Sequence, residues 1–232
     1  MATPAPSSND SPDPNSSSSI ASNDASRTLV IETATAACSV ALIAGDAVIA
    51  AHHEVVGRGH AERLVPMIGD LPDGGRADRI LVDCGPGSFT GVRVGLAAAI
   101  GLGIGWNVPV SGYSSLALVA AAAFRDDPGC TQLAVVLEGG HGQVFLQLFS
   151  PAPLTMTTPL RSLYPQEALA ACGGLPAIGS GVPRLLALDP QYDAREALPR
   201  AADALLLPAE ARQLPARPIY GRAPDAKPQG AG

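Results

Sequence analysis

Residues 79–105 constrain the fold of this chain more than any other stretch: Arg-Ile-Leu-Val-Asp-Cys-Gly-Pro-Gly-Ser-Phe-Thr-Gly, then Val-Arg-Val-Gly-Leu-Ala-Ala-Ala-Ile-Gly-Leu-Gly-Ile-Gly. Ile80, Leu81 and Val82 make a short apolar run suited to a buried strand, and Gly85, Pro86 and Gly87 break it where only glycine tolerates positive φ. The apolar residues after Gly91 continue as a helix, so the stretch reads strand, glycine loop, helix. A loop of this kind leaves backbone N–H groups unpaired at a helix N-terminus, where they can hold an anion or a partner's carboxylate. The competing reading is a tight turn whose glycines let strand and helix approach closely, and the pattern alone favours it. No Lys-Ser/Thr pair follows, which excludes a Walker A loop. Gly101, Gly103 and Gly105 lie at the end of the helix, so they are no dinucleotide fingerprint either.

With 232 residues and 47% apolar content, the chain can build one large domain or two small ones around a real core. Its formal charge is −6 and its arginines are scattered, which disfavours autonomous nucleic-acid binding, since phosphate neutralisation needs clustered Lys and Arg. Cys38, Cys84, Cys130 and Cys172 are widely spaced without a Cys-x-x-Cys pair; they read as small buried apolar residues in a reducing cytoplasm. Residues 1–26, rich in Ser, Pro, Asn and Asp, read as a disordered extension, neither signal peptide nor membrane anchor. The longest apolar stretch, 94–106, contains four glycines and is too short to span a bilayer.

Regular structure is expected from residue 28. Residues 29–33, 39–44 and 47–54 read as strands of an antiparallel meander, with Gly45-Asp46 as a hairpin turn. Ala61, Leu64, Val65 and Ile68 recur at helical spacing, and residues 71–75 stop that helix. The strand at Ile80, the helix from Val92, a strand over 108–111 and a helix over 114–124 complete a β-β-β-α-β-α-β-α order. Residues 126–129 mark the boundary to a smaller second unit. There, 133–137 and 144–149 form a hairpin around Gly139-Gly140-His141-Gly142, 177–178 a short strand, and 165–172, 183–188 and 200–213 helices.

Side chains that could carry chemistry are sparse. His52 and His53 end a strand, so only one can face inward, and a surface position is favoured. His60 precedes a helix, where it caps the helix or meets a partner. His141 sits at a hairpin tip. No His-x-x-x-His pair exists, and Ser88 has no visible His-Asp pair to activate it. Glu32 ends the first strand, followed by Thr33 and Thr35, which read as turn stabilisers. Neither a cofactor nor a metal is expected. Gly91, Gly95, Ala98 and Leu102 recur at three- and four-residue spacing, a narrow face that admits another helix. Packing on the chain's own sheet is the alternative, although a helix apolar nearly all round can bury two faces.

The run from Gly85 to Gly95, through Pro86, Gly87, Ser88, Phe89, Thr90, Gly91 and Val-Arg-Val, closely resembles the signature of the TsaB (YeaZ) family. The resemblance extends to residues 31–42, 60–68, 108–116 and 218–225, so it covers the N-terminal half in order and a C-terminal tail. It implies an α/β actin-like fold, as in the heat-shock ATPases, with two β-β-β-α-β-α units at 27–127 and 128–232, the second reduced. It also implies a non-catalytic subunit of the bacterial tRNA threonylcarbamoyladenosine complex. Such a subunit docks on the catalytic paralogue TsaD, helps recruit the ATPase TsaE, and meets tRNA only through the complex. Family members pair with TsaD, or with a second copy, through a four-helix seam, which here implicates His60, Leu64, Gly95, Ala98 and Leu102. TsaD carries a His-x-x-x-His metal pair at positions that match Ser115 and Val119; valine cannot ligate and a lone serine ligates poorly, so the metal site is expected to be absent. Two departures stand out: Glu32 replaces the family's usual Asp, and Glu138-Gly139-Gly140 replaces Asp-Ala-Arg. The alternatives are an independent metallopeptidase-like or nucleotide-hydrolysing enzyme, and a homodimeric adaptor outside tRNA modification.

Overall fold

The structure is a computed structural model that describes Met1 and residues 26–221. Most of the extension expected over residues 1–26, and the end of the tail motif beyond residue 221, lie outside the described residues. Strands β1 (Arg27–Glu32), β2 (Ala37–Ala44) and β3 (Ala47–Val55) form the antiparallel meander. Helix α1 (His60–Gly69), β4 (Arg79–Asp83), α2 (Phe89–Trp106) and β5 (Val110–Tyr113) follow, and the sheet runs β3-β2-β1-β4-β5 with β4 and β5 parallel to β1.

Helix α3 (Ser115–Asp126) leads to the second sheet. Its elements are β6 (Leu133–Glu138), β7 (Val144–Ser150), β8 (Thr155–Met156), β9 (Arg161–Leu163), α4 (Pro165–Cys172), β10 (Ala177–Ile178), α5 (Val182–Leu186) and β11 (Ala194–Arg195). Strands β9, β7, β6, β10 and β11 repeat the order and directions of the first sheet, with β8 as an added pairing at the far end of β7. The expected two units are therefore present and the second is reduced: α5 has 5 residues where α2 has 18.

Strand alternation divides the interior into layers. Leu29, Ile31, Val40, Leu42, Ile80 and Val82 face α1 and α2. Val30, Ala41, Ile43 and Leu81 face the other way, into a core shared with α3 and with Leu133, Val135 and Leu137 of β6. Nine of the 12 residues of α3 are buried, because it lies between the two sheets, and its alanines let both approach it closely. The outer face of the second sheet, with Ala134, Val136 and Leu146, is covered by α4 and α5.

Three expectations are corrected. The strand after α2 starts at Val110, since Asn107 ends the helix at φ 57 and Pro109 has no N–H for the ladder. The helix expected over 200–213 is two 3₁₀ turns, Ala201–Leu206 and Ala209–Arg212, separated by Pro208. Strands β8, β9 and β11 were not expected; at two or three residues each they are too short for a periodic signal. The chain then returns to the first sheet: the Ala201 N–H donates to Ser39 Oγ at 3.1 Å and the Ile219 N–H to the Cys84 carbonyl at 2.7 Å. All four cysteines are free, with Cys38, Cys84 and Cys172 buried and Cys130 half-buried.

Candidate functional site

Parallel strands β1, β4 and β5 end at one level, and their register brings Glu32, Asp83 and Tyr113 together on the α3 side of the sheet. Ser115, in the first turn of α3, completes the group, and all four residues are fully buried. Glu32 accepts from the Ala34 N–H and from the Tyr113 hydroxyl, each at 2.9 Å. Asp83 Oδ1 accepts from the Gly85 N–H at 2.7 Å and the Ser115 hydroxyl at 2.8 Å, whereas Oδ2 has no partner. Burial, then the neighbouring Asp83, pushes the Glu32 carboxyl well above the usual carboxylate range. Burial likewise raises Asp83 to about 7, against the Gly85 and Ser115 hydrogen bonds, which oppose the rise. Two acids side by side in a dry site do not both ionise, so the pair keeps a proton at neutral pH. Tyr113 is raised well above its ordinary value by burial and by both acids, so its hydroxyl is a fixed donor.

The glycine loop closes over this group. A side-chain carbon at Gly87 would overlap the Ala34 carbonyl, and one at Gly91 the Thr33 carbonyl. Two donors in the loop are engaged within the chain: the Ser88 N–H reaches Ala34 O at 2.7 Å, and the Gly91 N–H reaches Ser88 Oγ at 3.2 Å, which caps α2. Thr33 is no local turn stabiliser; its hydroxyl donates to the Gly91 carbonyl at 2.9 Å and ties the two loops together. Thr35 does hold its turn, accepting from the Ala37 N–H at 3.3 Å. Gly85, Pro86, Gly87 and Gly91 thus pack strand, loop and helix, while Ser88, Phe89 and Thr90 are exposed. Phe89 stacks against the Arg93 guanidinium, 3.3 Å from the ring centroid, and Arg93 also donates to the Tyr220 hydroxyl at 3.2 Å.

The proposed seam residues separate into two groups. His60, Leu64 and Gly95 turn inward and are buried within the chain: His60 Nε2 lies 3.1 Å from the Ala37 carbonyl instead of capping α1, and a side chain at Gly95 would overlap Thr33 Oγ1. Ala98 and Leu102 are half-buried beside them. The outward face consists of Val65 on α1 with Ala97, Ile100, Gly101 and Ile104 on α2. Ser115 is spent on Asp83 and Val119 is buried in the core. Among the described residues, no three His, Cys, Asp or Glu side chains converge as a metal cluster. Where Glu138-Gly139-Gly140 lacks the family's arginine, Arg184 of α5 pairs with Glu138.

The family model described as tRNA N6-adenosine threonylcarbamoyltransferase (TsaD) matches residues 49–153. The tRNA threonylcarbamoyladenosine biosynthesis protein TsaB of Escherichia coli is 40% identical over 124 residues, covering 51% of this chain and 53% of that protein. An uncharacterised protein of Mycobacterium tuberculosis is 30% identical over 221 residues, covering 88% of this chain and 95% of its own length. A crystal structure from Pseudomonas aeruginosa, described as similar to peptidase YeaZ, superposes with a TM-score of 0.71 at 29% identity, covering 85% of this chain and all of that one. The chain belongs to the TsaB (YeaZ) family. It spans about half the length of the curated TsaB relatives it matches, and the YeaZ superposition extends the likeness to both sheets of the actin-like fold.

Asp83 and Tyr113 are the site residues that sequence reasoning missed. The signal was present in the acid that ends the Ile80-Leu81-Val82 run immediately before the TsaB-type loop.

Proposed function

We propose that this chain is a non-catalytic subunit in tRNA threonylcarbamoyladenosine biosynthesis. It docks on a TsaD-type catalytic subunit through the outer face of α1 and α2 and helps recruit a TsaE-type ATPase in the cytoplasm. The observation that carries this reading is α2, which is long and apolar enough to cross a membrane yet only 33% buried within the chain. Val92, Leu96, Ala99 and Gly103 pack it on the sheet, which argues against a membrane position. The other face leaves Ile104 79%, Phe89 70% and Val65 of α1 64% exposed. Small residues at Ala97, Gly101 and Gly105 let a partner helix approach that face. Contiguous apolar surface of this kind marks a protein interface.

The buried acids support a supporting rather than a bond-making role. Glu32 and Asp83 occupy the strand ends but are sealed under the glycine loop, and their hydrogen bonds close on the chain itself. The test is threonylcarbamoyladenosine formation on unmodified tRNA by purified TsaC, TsaD and TsaE from the same organism, with and without this chain. Product only when the chain is present is expected. Equal product in both reactions would move the assignment to an independent adaptor or enzyme.

A further inference from the structure

Away from the acid pair and from the outer face of α2, a cleft of about 580 Å³ opens between β3, α3 and residues 194–203. Its volume is that of a small-molecule site. Leu118, Val119 and Ala122 of α3, with Leu198 and Pro199, give it an apolar floor. The rim is charged, and His53 sits in it. Register fixes the direction of His53: it pairs with Ser39, whose hydroxyl is bonded to Ala201, so both side chains lie on the face that the segment after residue 194 covers.

His53 Nδ1 is buried without a hydrogen-bond partner. Such an atom is costly to leave buried unless something satisfies it. The acids around it are already committed: Asp126 and Asp203 both pair with Arg125, and Asp126 also lies 4.0 Å from Arg195. The Arg200 guanidinium makes no ion pair or hydrogen bond among the described residues, and Arg200 lines the same cleft. Glu196 is the remaining rim acid. Burial, then Arg200, lowers the His53 imidazole below its ordinary value, while Asp203 opposes this, so the neutral ring is favoured.

We propose that this cleft binds a small molecule with an apolar body and an anionic head, a carboxylate or phosphate monoester, whose head lies between Arg200 and His53 Nδ1. An anion there offsets the Arg200 charge, gives Nδ1 an acceptor, and draws a proton onto the ring. The proposal does not depend on the docking role above.

The experiment is an NMR titration of the histidine imidazole signals of the full chain with phenyl phosphate, with benzoate and with neutral phenol. The His53 signal is assigned through His53→Gln. Phenyl phosphate or benzoate is expected to move the His53 signal and raise its titration midpoint, with phenol doing neither; which anion acts identifies the head group. Arg200→Gln, an exposed position outside the helices and strands, is expected to weaken binding at least about tenfold with an unchanged circular dichroism spectrum. An unmoved His53 with both anions, equal binding of phenol, or undiminished binding by Arg200→Gln would each overturn the proposal.

Discussion

Replacing Asp83 by Asn isolates the buried acid pair. Asp83 ionises near 3.8 in an unfolded chain and near 7 in the fold, a rise worth roughly 4 kcal/mol at about 1.4 kcal/mol per pKa unit. The sign follows from proton binding. Between those values the folded protein keeps a proton that the unfolded chain has released, so stability is complete below pH 3.8 and is lost as pH climbs through 7. Glu32, raised in the same direction, adds a loss of the same sign. Asparagine cannot ionise. Its Oδ1 keeps the Gly85 and Ser115 bonds, and its amide nitrogen enters the position of the unpartnered Oδ2. That added donor costs about 1–3 kcal/mol at pH 4, where the acid is neutral anyway. At pH 8 the removed ionisation penalty outweighs that cost, and the variant is expected to be more stable than the parent by about 1–3 kcal/mol. Urea unfolding followed by circular dichroism from pH 4 to 8 reads the difference. Stability curves for variant and parent that cross are expected; parallel curves would mean that Asp83 is ionised throughout and that its burial does not govern its charge.

Three further outcomes are expected. Ile104→Asp should abolish pairing with TsaD in size-exclusion chromatography while changing monomer stability by no more than about 0.5 kcal/mol, because the residue is on the surface; undiminished pairing would place the seam elsewhere. Gly95→Ala should destabilise the monomer by about 1–3 kcal/mol through overlap with Thr33, and Thr33→Ala in the same chain should recover part of that loss in thermal unfolding. Iodoacetamide at pH 8 should alkylate Cys130 first by mass spectrometry, since burial pushes Cys38 and Cys84 up to about 11 and leaves them almost wholly as thiols; early labelling of Cys84 would show that the loop over it opens readily.

The first unit was legible because its signals are long and mutually consistent. The Ile80 strand, the glycine loop and the apolar helix each predict the next element, and the apolar run at 39–44 matches a strand buried on both faces. The second unit was legible only as a hairpin, the short strand at 177–178 and helices. Its third and fifth strands, β9 and β11, have three and two residues, so the equivalence of the two sheets appears only once pairing is known.

Helix α2 shows why a site can be harder to read than a fold. Gly91, Gly95, Ala98 and Leu102 spell a helix–helix face in sequence, but Gly91 and Gly95 are small because Thr33 presses on them from within the same chain. Spacing identifies a narrow face without saying which neighbour requires it. The neighbour is fixed by the direction in which α2 leaves the loop, and that direction follows from Ser88 bonding to Ala34 and Thr33 to Gly91. Once those bonds set the helix rotation, the outward residues fall at 97, 100, 101 and 104, roughly 140° round the helix from the stripe that the glycines suggested. The loop motif therefore sets the rotation of α2. It exposes Ser88, Phe89 and Thr90, and its packing decides which side of α2 faces outward.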